Sequence, residues 1–252
     1  MFRKSTLLLG RVVLKTQAGL VAGVIIGGTT FVAGSDLREF GQPLQDPQMP
    51  NVIAQIESCG KPVVAALHGA ALGDGMELTL ACDARIALAA RCWACPKSPW
   101  AWFPARAASS ASRAIQTICS GERITADKAL ALRLVDEVVA SDLQTHAMAL
   151  VQKLAGRKCR IREESVAPED VAAIEKTEQT TLRAGKRRPA VLADIQAVKR
   201  AARSPMDEGL ARERVVFQQL RVSAEAYALR HQFFAEREAA KLPEALQAAP
   251  AR

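Results

Sequence analysis

The sequence predicts an α/β core that is followed by a helical C-terminal region. Two observations lead to this fold class. From Leu20 to about Ala89, short β-rich runs alternate with glycine turns and helical stretches, as in chains whose strands and helices alternate. From Thr125 onward the pattern is almost wholly helical. We therefore expect residues 1–140 to form a crossover-connected core and residues 141–252 to form a helical region that ends in the start of a linker.

Three buried strands and one helix are predicted in the α/β half. The apolar runs Val21–Ile26 and Pro62–Leu67 are typical of buried strands, and Arg85–Leu88 has the same character. Between the first two strands, Val52 to Ile56 supplies the apolar face of a helix that ends near Gly60. These elements alternate, as an α/β arrangement requires.

The second half begins with a capped helix. Thr125 is the expected N-cap, and Lys128 at the N3 position means that no capping box forms. A short strand or turn is predicted at Leu134–Val139. Leu143–Leu154 is apolar at helical spacing and predicts a helix.

Two long amphipathic helices are expected near the C-terminus. They cover Pro189–Ala202 and Met206–Glu238. The second helix offers six large apolar side chains for packing, namely Leu210, Phe217, Leu220, Tyr227, Phe233 and Phe234.

The net charge of +8 raises the question of a polyanionic partner. Four basic residues and no acidic residue lie between Arg91 and Ser120, so half of the excess comes from one segment. The chain has one Tyr, and its three Trp residues are clustered between positions 93 and 102. Aromatic residues are therefore not interleaved with basic ones as in RNA-binding surfaces. We expect no nucleic acid partner, and a basic RNA-binding protein is kept as an alternative.

No membrane span is predicted, because the longest apolar stretch, Ala18–Gly28, is too short to cross a bilayer. The first 35 residues carry four basic residues and no acidic one. This composition resembles an organellar transit peptide. Our expectation is a cytoplasmic protein.

The cysteines do not indicate a metal site. Among six cysteines only Cys92 and Cys95 form a CxxC pair. Zinc sites need a second pair or histidines at matching spacing, whereas His68, His146 and His231 are scattered along the chain. We expect no bound metal and reduced thiols.

Two glycine-containing turns each follow a predicted strand. The first is FVAGSDL, residues 31–37, and the second is HGAALGDGMEL, residues 68–78, which opens a helix. Glycine permits tight turns that expose backbone N–H groups, and the start of a helix adds further unpaired N–H groups. Such groups stabilise a developing oxyanion. Taken alone, either turn is more often structural than catalytic.

In combination, these motifs resemble a known family. FVAGSDLREF, followed after a helix by KPVVAALHGAALGDGMELTLACDARIA, is similar to the two signature segments of the enoyl-CoA hydratase/isomerase, or crotonase, family. Ile118–Val139 resembles a later helix and strand of that family. The C-terminal HQFFAEREAAKLP is similar to the segment that joins the crotonase domain to the dehydrogenase domain in bifunctional enzymes of fatty-acid β-oxidation. The resemblance implies a crotonase-like superhelix of ββα turns and a chain truncated relative to those enzymes. No GxGxxG fingerprint follows, so no dehydrogenase chemistry is expected.

The resemblance also implies a site for an acyl-CoA thioester. The backbone N–H groups of Ser35 and Asp74 correspond to the family's oxyanion hole, and Glu77 corresponds to one of its two catalytic glutamates. Asp74 departs from the family, in which this position is usually glycine, and its carboxylate opposes a forming oxyanion. The neighbouring residues expected to contact substrate are Ala33, Gly34, Asp36, Leu37, Gly73 and Gly75. No cofactor is expected beyond the coenzyme A of the substrate, and the family implies a monomer or a homo-oligomer such as a trimer.

The second catalytic glutamate is missing from its expected place. The family has a segment resembling GLPExxLGxxPGAGG, where this chain has RCWACPKSPWAWFPARAASSASR, residues 91–113, with three tryptophans, three prolines and no apolar period. Tryptophan has a single codon. With allowed codons, a frame that starts at the third base of Cys92 reads LGLPEVTLGLVPGAGG, which includes the glutamate. We therefore hypothesise that a frameshift, in the gene or its recorded sequence, altered about twenty residues before the frame resumed near Arg113.

The expected activity is hydration of a trans-2-enoyl-CoA to a 3-hydroxyacyl-CoA, which is a lyase reaction. Some members of the family catalyse an isomerisation instead. Loss of one carboxylate should impair it, because each general acid or base typically contributes about 10²- to 10⁴-fold. A non-catalytic acyl-CoA-binding or interaction scaffold, encoded by a pseudogene, is the main alternative.

Overall fold

The computed structural model describes residues 23–26, 31–32, 34–89, 92–94, 110–120, 123–164, 167–185, 187–201 and 203–241. Within these ranges six strands occur: β1 (Gly23–Ile26), β2 (Val63–Leu67), β3 (Ala84–Leu88), β4 (Cys92–Ala94), β5 (Arg123–Thr125) and β6 (Glu137–Val139). The helices are α1 (Met49–Ser58), α2 (Asp74–Leu80), α3 (Ala111–Ser120), α4 (Ala126–Ala131), α5 (Leu143–Leu154), α6 (Val171–Ala184), α7 (Pro189–Ala201), α8 (Met206–Arg221) and α9 (Ala224–Ala239).

Four of the strands form one parallel sheet in the order β1, β2, β3, β6. Gly23 pairs with Val63, Val64 pairs with Ala84, and Ile86 pairs with Glu137. Parallel neighbours need crossover connections, and helices α1 and α2 supply them between the first three strands. The three strands predicted in the first half are therefore confirmed, and the α/β core followed by a mostly helical region agrees with the predicted fold class.

Strand β2 is buried on both faces of the sheet. Val63, Ala65 and Leu67 face the larger hydrophobic core, whereas Val64 and Ala66 belong to a second core cluster. This division follows from the two-residue period of a strand. A strand covered on both sides explains why the run has no polar residue, as is usual for parallel sheets.

Helix α5 covers the second face of the sheet. Its Ala147 and Val151 are buried in the cluster that contains Val64, Ala66 and Ile86. The predicted range Leu143–Leu154 agrees with the observed helix at both ends.

The larger core joins the two halves of the chain. It contains Phe31 and Met76 from the first half and Ile161, Ile195 and Val198 from the second half. Residues on either side of position 140 thus share one core, and the division of the chain at that position stays a prediction.

The capping prediction for α4 is confirmed. The backbone N–H of Lys128 donates to the hydroxyl oxygen of Thr125 at 3.3 Å. Thr125 also ends β5, which pairs antiparallel with β4, so that Trp93 lies opposite Ile124. The sequence does not predict β4, which lies in the irregular segment 91–113, and residues 95–109 of that segment lie outside the described residues.

The predicted single helix over Met206–Glu238 is wrong. The chain forms two helices, α8 and α9, separated at Val222 and Ser223. Ser223 caps the second helix, because its hydroxyl oxygen accepts a hydrogen bond from the N–H of Ala226 at 3.2 Å. An N-cap of this kind satisfies one of the unpaired N–H groups at the start of a new helix.

The aromatic residues of α9 are less buried than we expected. The exposed fraction is 51% for Tyr227, 37% for Phe233 and 38% for Phe234. Phe233 and Phe234 contact each other edge to face with ring centroids 5.3 Å apart.

Among the described helices, none is both long and apolar enough to span a bilayer.

Candidate functional site

The two glycine-containing turns lie side by side. An isolated parallel bridge joins Val32 in the first turn to Ala71 in the second. The N–H of Val32 donates to the carbonyl oxygen of Ala70 at 3.1 Å, and the N–H of Leu72 donates to the carbonyl oxygen of Val32 at 2.9 Å. These two hydrogen bonds hold the turns in register although nearly forty residues separate them in the sequence.

Glycine is required where the two turns touch. A Cβ atom on Gly75 would lie 2.4 Å from the carbonyl oxygen of Val32 and 2.8 Å from its Cβ atom. Gly34 has a φ of +101°, and a Cβ atom there would lie 3.4 Å from the carbonyl oxygen of Leu72. Gly73 precedes α2 with a φ of +54°. Both turns therefore depend on residues without side chains.

The side chains of Ser35 and Asp74 meet between the turns. The Ser35 hydroxyl group donates a hydrogen bond to the Asp74 carboxylate. Burial raises the pKa of Asp74, and hydrogen bonds from the Ser35 hydroxyl and from the backbone N–H of Asp74 itself partly oppose that rise. The residues to which the resemblance assigns the oxyanion-hole N–H groups are thus brought together by the fold. The Asp74 carboxylate lies with them.

Glu77 lies one turn further along α2. Its side chain is fully buried, and its backbone N–H donates to the carbonyl oxygen of Gly73 at 3.2 Å. Residues three apart share one face of a helix, so Glu77 lies on the same face as Asp74. A buried carboxyl group with this placement can hold a water molecule or exchange a proton with a group bound beside α2.

A cleft of ≈ 380 Å³ opens beside Ser35 and Asp74. The segment after the first turn contributes Arg38 and Phe40, and helix α8 contributes Arg214 and Phe217. Its volume falls in the range of small-molecule sites. Neither Arg214 nor Phe217 was singled out from the sequence as a site residue. They lie far from both turns along the chain, and no local motif marks them.

Helix α8 forms one wall of the cleft and holds the segment after the first turn, which forms the opposite wall. The rings of Phe40 and Phe217 meet edge to face with centroids 5.9 Å apart. Arg214 donates a hydrogen bond to the side-chain carbonyl of Gln48. Arg221 donates to the backbone carbonyl of Gln42 at 3.1 Å. The cleft is thus built from two parts of the chain that are distant in sequence.

The other residues expected to contact substrate have mixed placements. Asp36 forms an ion pair with Arg38 at 2.7 Å, and hydrogen bonds from Arg38 lower the pKa of Asp36. Leu37 is half-buried at the end of the first turn. Gly34, Gly73 and Gly75 shape the turns rather than border the cleft. Ala33 lies outside the described residues.

Comparison with known proteins assigns the family. The family model described as enoyl-CoA hydratase/isomerase matches residues 13–200. The chain belongs to the enoyl-CoA hydratase/isomerase family. The resemblance noted in the sequence is therefore confirmed, and membership accounts for the paired turns of the crotonase-like core.

Several relatives are longer proteins. The chain is 33% identical over 236 residues to the peroxisomal bifunctional enzyme of Danio rerio and 33% identical over 238 residues to that of Homo sapiens. Each alignment covers 88% of this chain and 33% of the relative, so the chain spans about a third of their length. The fatty acid oxidation complex subunit alpha of Shewanella amazonensis is 27% identical over 90% of this chain and 36% of that protein.

Solved structures of enoyl-CoA hydratases give weaker matches. An enoyl-CoA hydratase subunit from Geobacillus kaustophilus is 24% identical, covers 85% of this chain and 77% of its own, and has a TM-score of 0.46. The enoyl-CoA hydratase of Mycobacterium smegmatis is 22% identical over 70% of this chain and 77% of its own, with a TM-score of 0.47.

Metal ligands are not clustered in the part of the chain that the structure describes. No group of three or more His, Cys, Asp or Glu residues that could hold a metal ion occurs there. Burial raises the pKa of the Cys82 thiol to about 12, so this thiol stays protonated at neutral pH. The absence of metal and cofactor stays a prediction.

Proposed function

We propose that this chain binds acyl-CoA thioesters as a hydratase-type domain of fatty-acid β-oxidation. The observation that carries the proposal is the bridged pair of turns, which holds Ser35 beside Asp74 at the cleft with Glu77 one helical turn away. Family membership supports the substrate class. The names of the relatives from Danio rerio and Shewanella amazonensis support the metabolic setting. The cytoplasmic location expected from the sequence stays a prediction.

In the proposed reaction, water adds across the Cα=Cβ bond of a trans-2-enoyl-CoA. Glu77 takes a proton from the water as its oxygen bonds to Cβ, and the electron pair of the double bond moves toward the thioester carbonyl. The backbone N–H groups of Ser35 and Asp74 would stabilise the resulting enolate oxygen, since donors fixed in a water-poor site act without reorganisation. A proton delivered to Cα completes the 3-hydroxyacyl-CoA.

The proton transfer to Cα lacks its usual residue. The family supplies a second glutamate in the segment that is altered here between residues 91 and 113. We therefore propose slow hydration, about 10²- to 10⁴-fold below that of an intact relative. Binding does not require the second carboxylate and should persist.

A non-catalytic acyl-CoA-binding scaffold is the second candidate. Two observations favour it, namely the altered segment and the Asp74 carboxylate, which accepts the Ser35 hydrogen bond where an oxyanion would need donors. This candidate shares the ligand with the first and differs only in turnover.

The two candidates are separated with crotonyl-CoA. Binding is measured by calorimetry, and hydration is measured by the loss of enoyl-thioester absorbance, for the wild-type chain and for Glu77→Gln. Glu57→Gln is the control, because Glu57 is also a buried carboxyl group but lies on α1, where it pairs with Arg162 and does not line the cleft. Turnover that Glu77→Gln abolishes and Glu57→Gln retains would support the hydratase. Binding without turnover would support the scaffold, and absence of binding would overturn the proposal.

A further inference from the structure

The Asp74 carboxylate is an acceptor at a place where the proposed chemistry needs donors. It accepts a hydrogen bond from the Ser35 hydroxyl group, and both residues line the cleft. The backbone N–H of Asp74 is one of the two groups proposed to bind the thioester oxygen. An ionised Asp74 therefore places a negative charge beside that donor and beside the developing charge of the substrate.

We infer that the ionised Asp74 carboxylate repels the thioester oxygen from this site, so that the chain accepts acyl-CoA when Asp74 is protonated. This inference rests on the proposed function, because it concerns the same site and the same ligand class. A protonated carboxyl group carries no charge and can itself donate an O–H to the thioester oxygen. Asp74 would thereby act as a residue that couples substrate binding to pH.

The surroundings of Asp74 favour protonation. Burial is the largest influence on its pKa and raises it, whereas the two hydrogen bonds lower it by less. The charged groups on the elements around it are Asp36 in the first turn, Arg38 and Glu39 just after that turn, Glu77 on its own helix and Arg214 on α8. Among these, burial also raises the pKa of Glu39, so the experiment must separate the two carboxyl groups.

The test measures binding of butyryl-CoA, which has no double bond to hydrate, between about pH 5 and about pH 9. Free coenzyme A is titrated in parallel, because the ratio of the two affinities cancels the ionisation of the coenzyme A phosphates. The variants are Asp74→Asn, which removes the charge at nearly unchanged size, and Asp74→Gly, which removes the side chain. Glu39→Gln reports on the neighbouring carboxyl group, and thermal unfolding of each variant confirms that it is folded.

The expected result follows from linkage. If binding requires protonated Asp74, the butyryl-CoA preference of the wild-type chain falls by up to about tenfold for each pH unit above the pKa of that carboxyl group. Asp74→Asn and Asp74→Gly should show a preference that does not change with pH. A pH dependence that Glu39→Gln abolishes and Asp74→Asn retains would overturn the inference.

Failure of the inference differs from failure of the proposed function. A butyryl-CoA preference that is independent of pH in the wild-type chain would overturn the role of Asp74 and leave acyl-CoA binding intact. If no folded variant, including Asp74→Gly, binds butyryl-CoA more tightly than free coenzyme A, the proposed function fails and the inference fails with it.

Discussion

The ammonium nitrogen of Lys158 lies 2.6 Å from the carboxylate of Asp83, whose side chain is 1% exposed. The same carboxylate accepts hydrogen bonds from the backbone N–H groups of Val63 and Cys159, each at 2.7 Å. Asp83 thus ties the start of β2 to the segment that follows α5.

We expect Asp83→Ala to lower the free energy of unfolding by about 3 to 5 kcal/mol, because it leaves a partly buried ammonium group and two N–H groups without their acceptor. The control is Lys241→Met. Its pair with Glu238 has the same 2.6 Å separation but lies at the surface, with side chains 69% and 74% exposed. We expect Lys241→Met to change the free energy of unfolding by no more than about 0.5 kcal/mol. Urea unfolding measures both, and equal effects would contradict the role given to burial.

Gly75→Ala should force the two turns apart. Its new methyl group would overlap the backbone of Val32, and such overpacking typically costs about 1 to 3 kcal/mol. Because the same contact positions Ser35 beside Asp74, we also expect at least roughly tenfold weaker acyl-CoA binding, which corresponds to about 1.4 kcal/mol. Gly60→Ala is the matched control, since a Cβ atom there meets nothing within 4 Å. Calorimetric titration of a folded Gly75→Ala chain with unchanged affinity would contradict this account.

Replacing residues 93–108 with LGLPEVTLGLVPGAGG should raise hydration of crotonyl-CoA by about 10²- to 10⁴-fold, because it restores the second carboxylate. The control carries the same segment with glutamine in place of its glutamate. Equal rates for the two chains would exclude this carboxylate as the missing group. Sequencing of the locus tests the frameshift independently, and an intact genomic frame with codons that cannot yield the family segment would refute it.

The stability contribution of Glu57 should depend on pH. Burial is the main influence and raises the pKa of this carboxyl group, although Arg162 at 3.2 Å opposes the rise. A folded-state pKa above the unfolded value means that the folded chain binds more protons, so stability falls as pH rises through the raised pKa. Glu57→Gln lacks this loss. We expect its stability relative to wild type to improve between about pH 4 and about pH 7. Urea unfolding at both pH values, with the exposed Glu163→Gln as control, checks this direction, and a relative stability that worsens would refute it.

Local patterns predicted the elements whose packing is simple. Helix α5 was predicted to its end residues, and β2 to within one residue, because each presents an uninterrupted apolar pattern to the sheet. The break between α8 and α9 was missed. Residues that favour helices continue on both sides of this break, and the N-cap residue Ser223 is the one local feature that indicates it.

The candidate site was predictable only in part. The glycines of both turns, and hence Ser35, Asp74 and Glu77, stand out because tight turns restrict the residues that fit. The hydrogen bond between Ser35 and Asp74 depends on the tertiary pairing of the two turns. The contribution of Arg214 depends on how α8 crosses a segment 166 residues earlier in the chain. Neither relationship leaves a periodic trace in the sequence.

The hydrogen bond between Arg214 and Gln48 determines when, during synthesis, the cleft can form. At roughly 5 to 20 residues per second, the 166 residues between these partners take about 10 to 30 s to translate. The early sheet strands and both turns can emerge from the ribosome and begin to associate within that interval. The cleft acquires its second wall only when helix α8 leaves the exit tunnel, so a nascent chain should not bind the proposed ligand before that point.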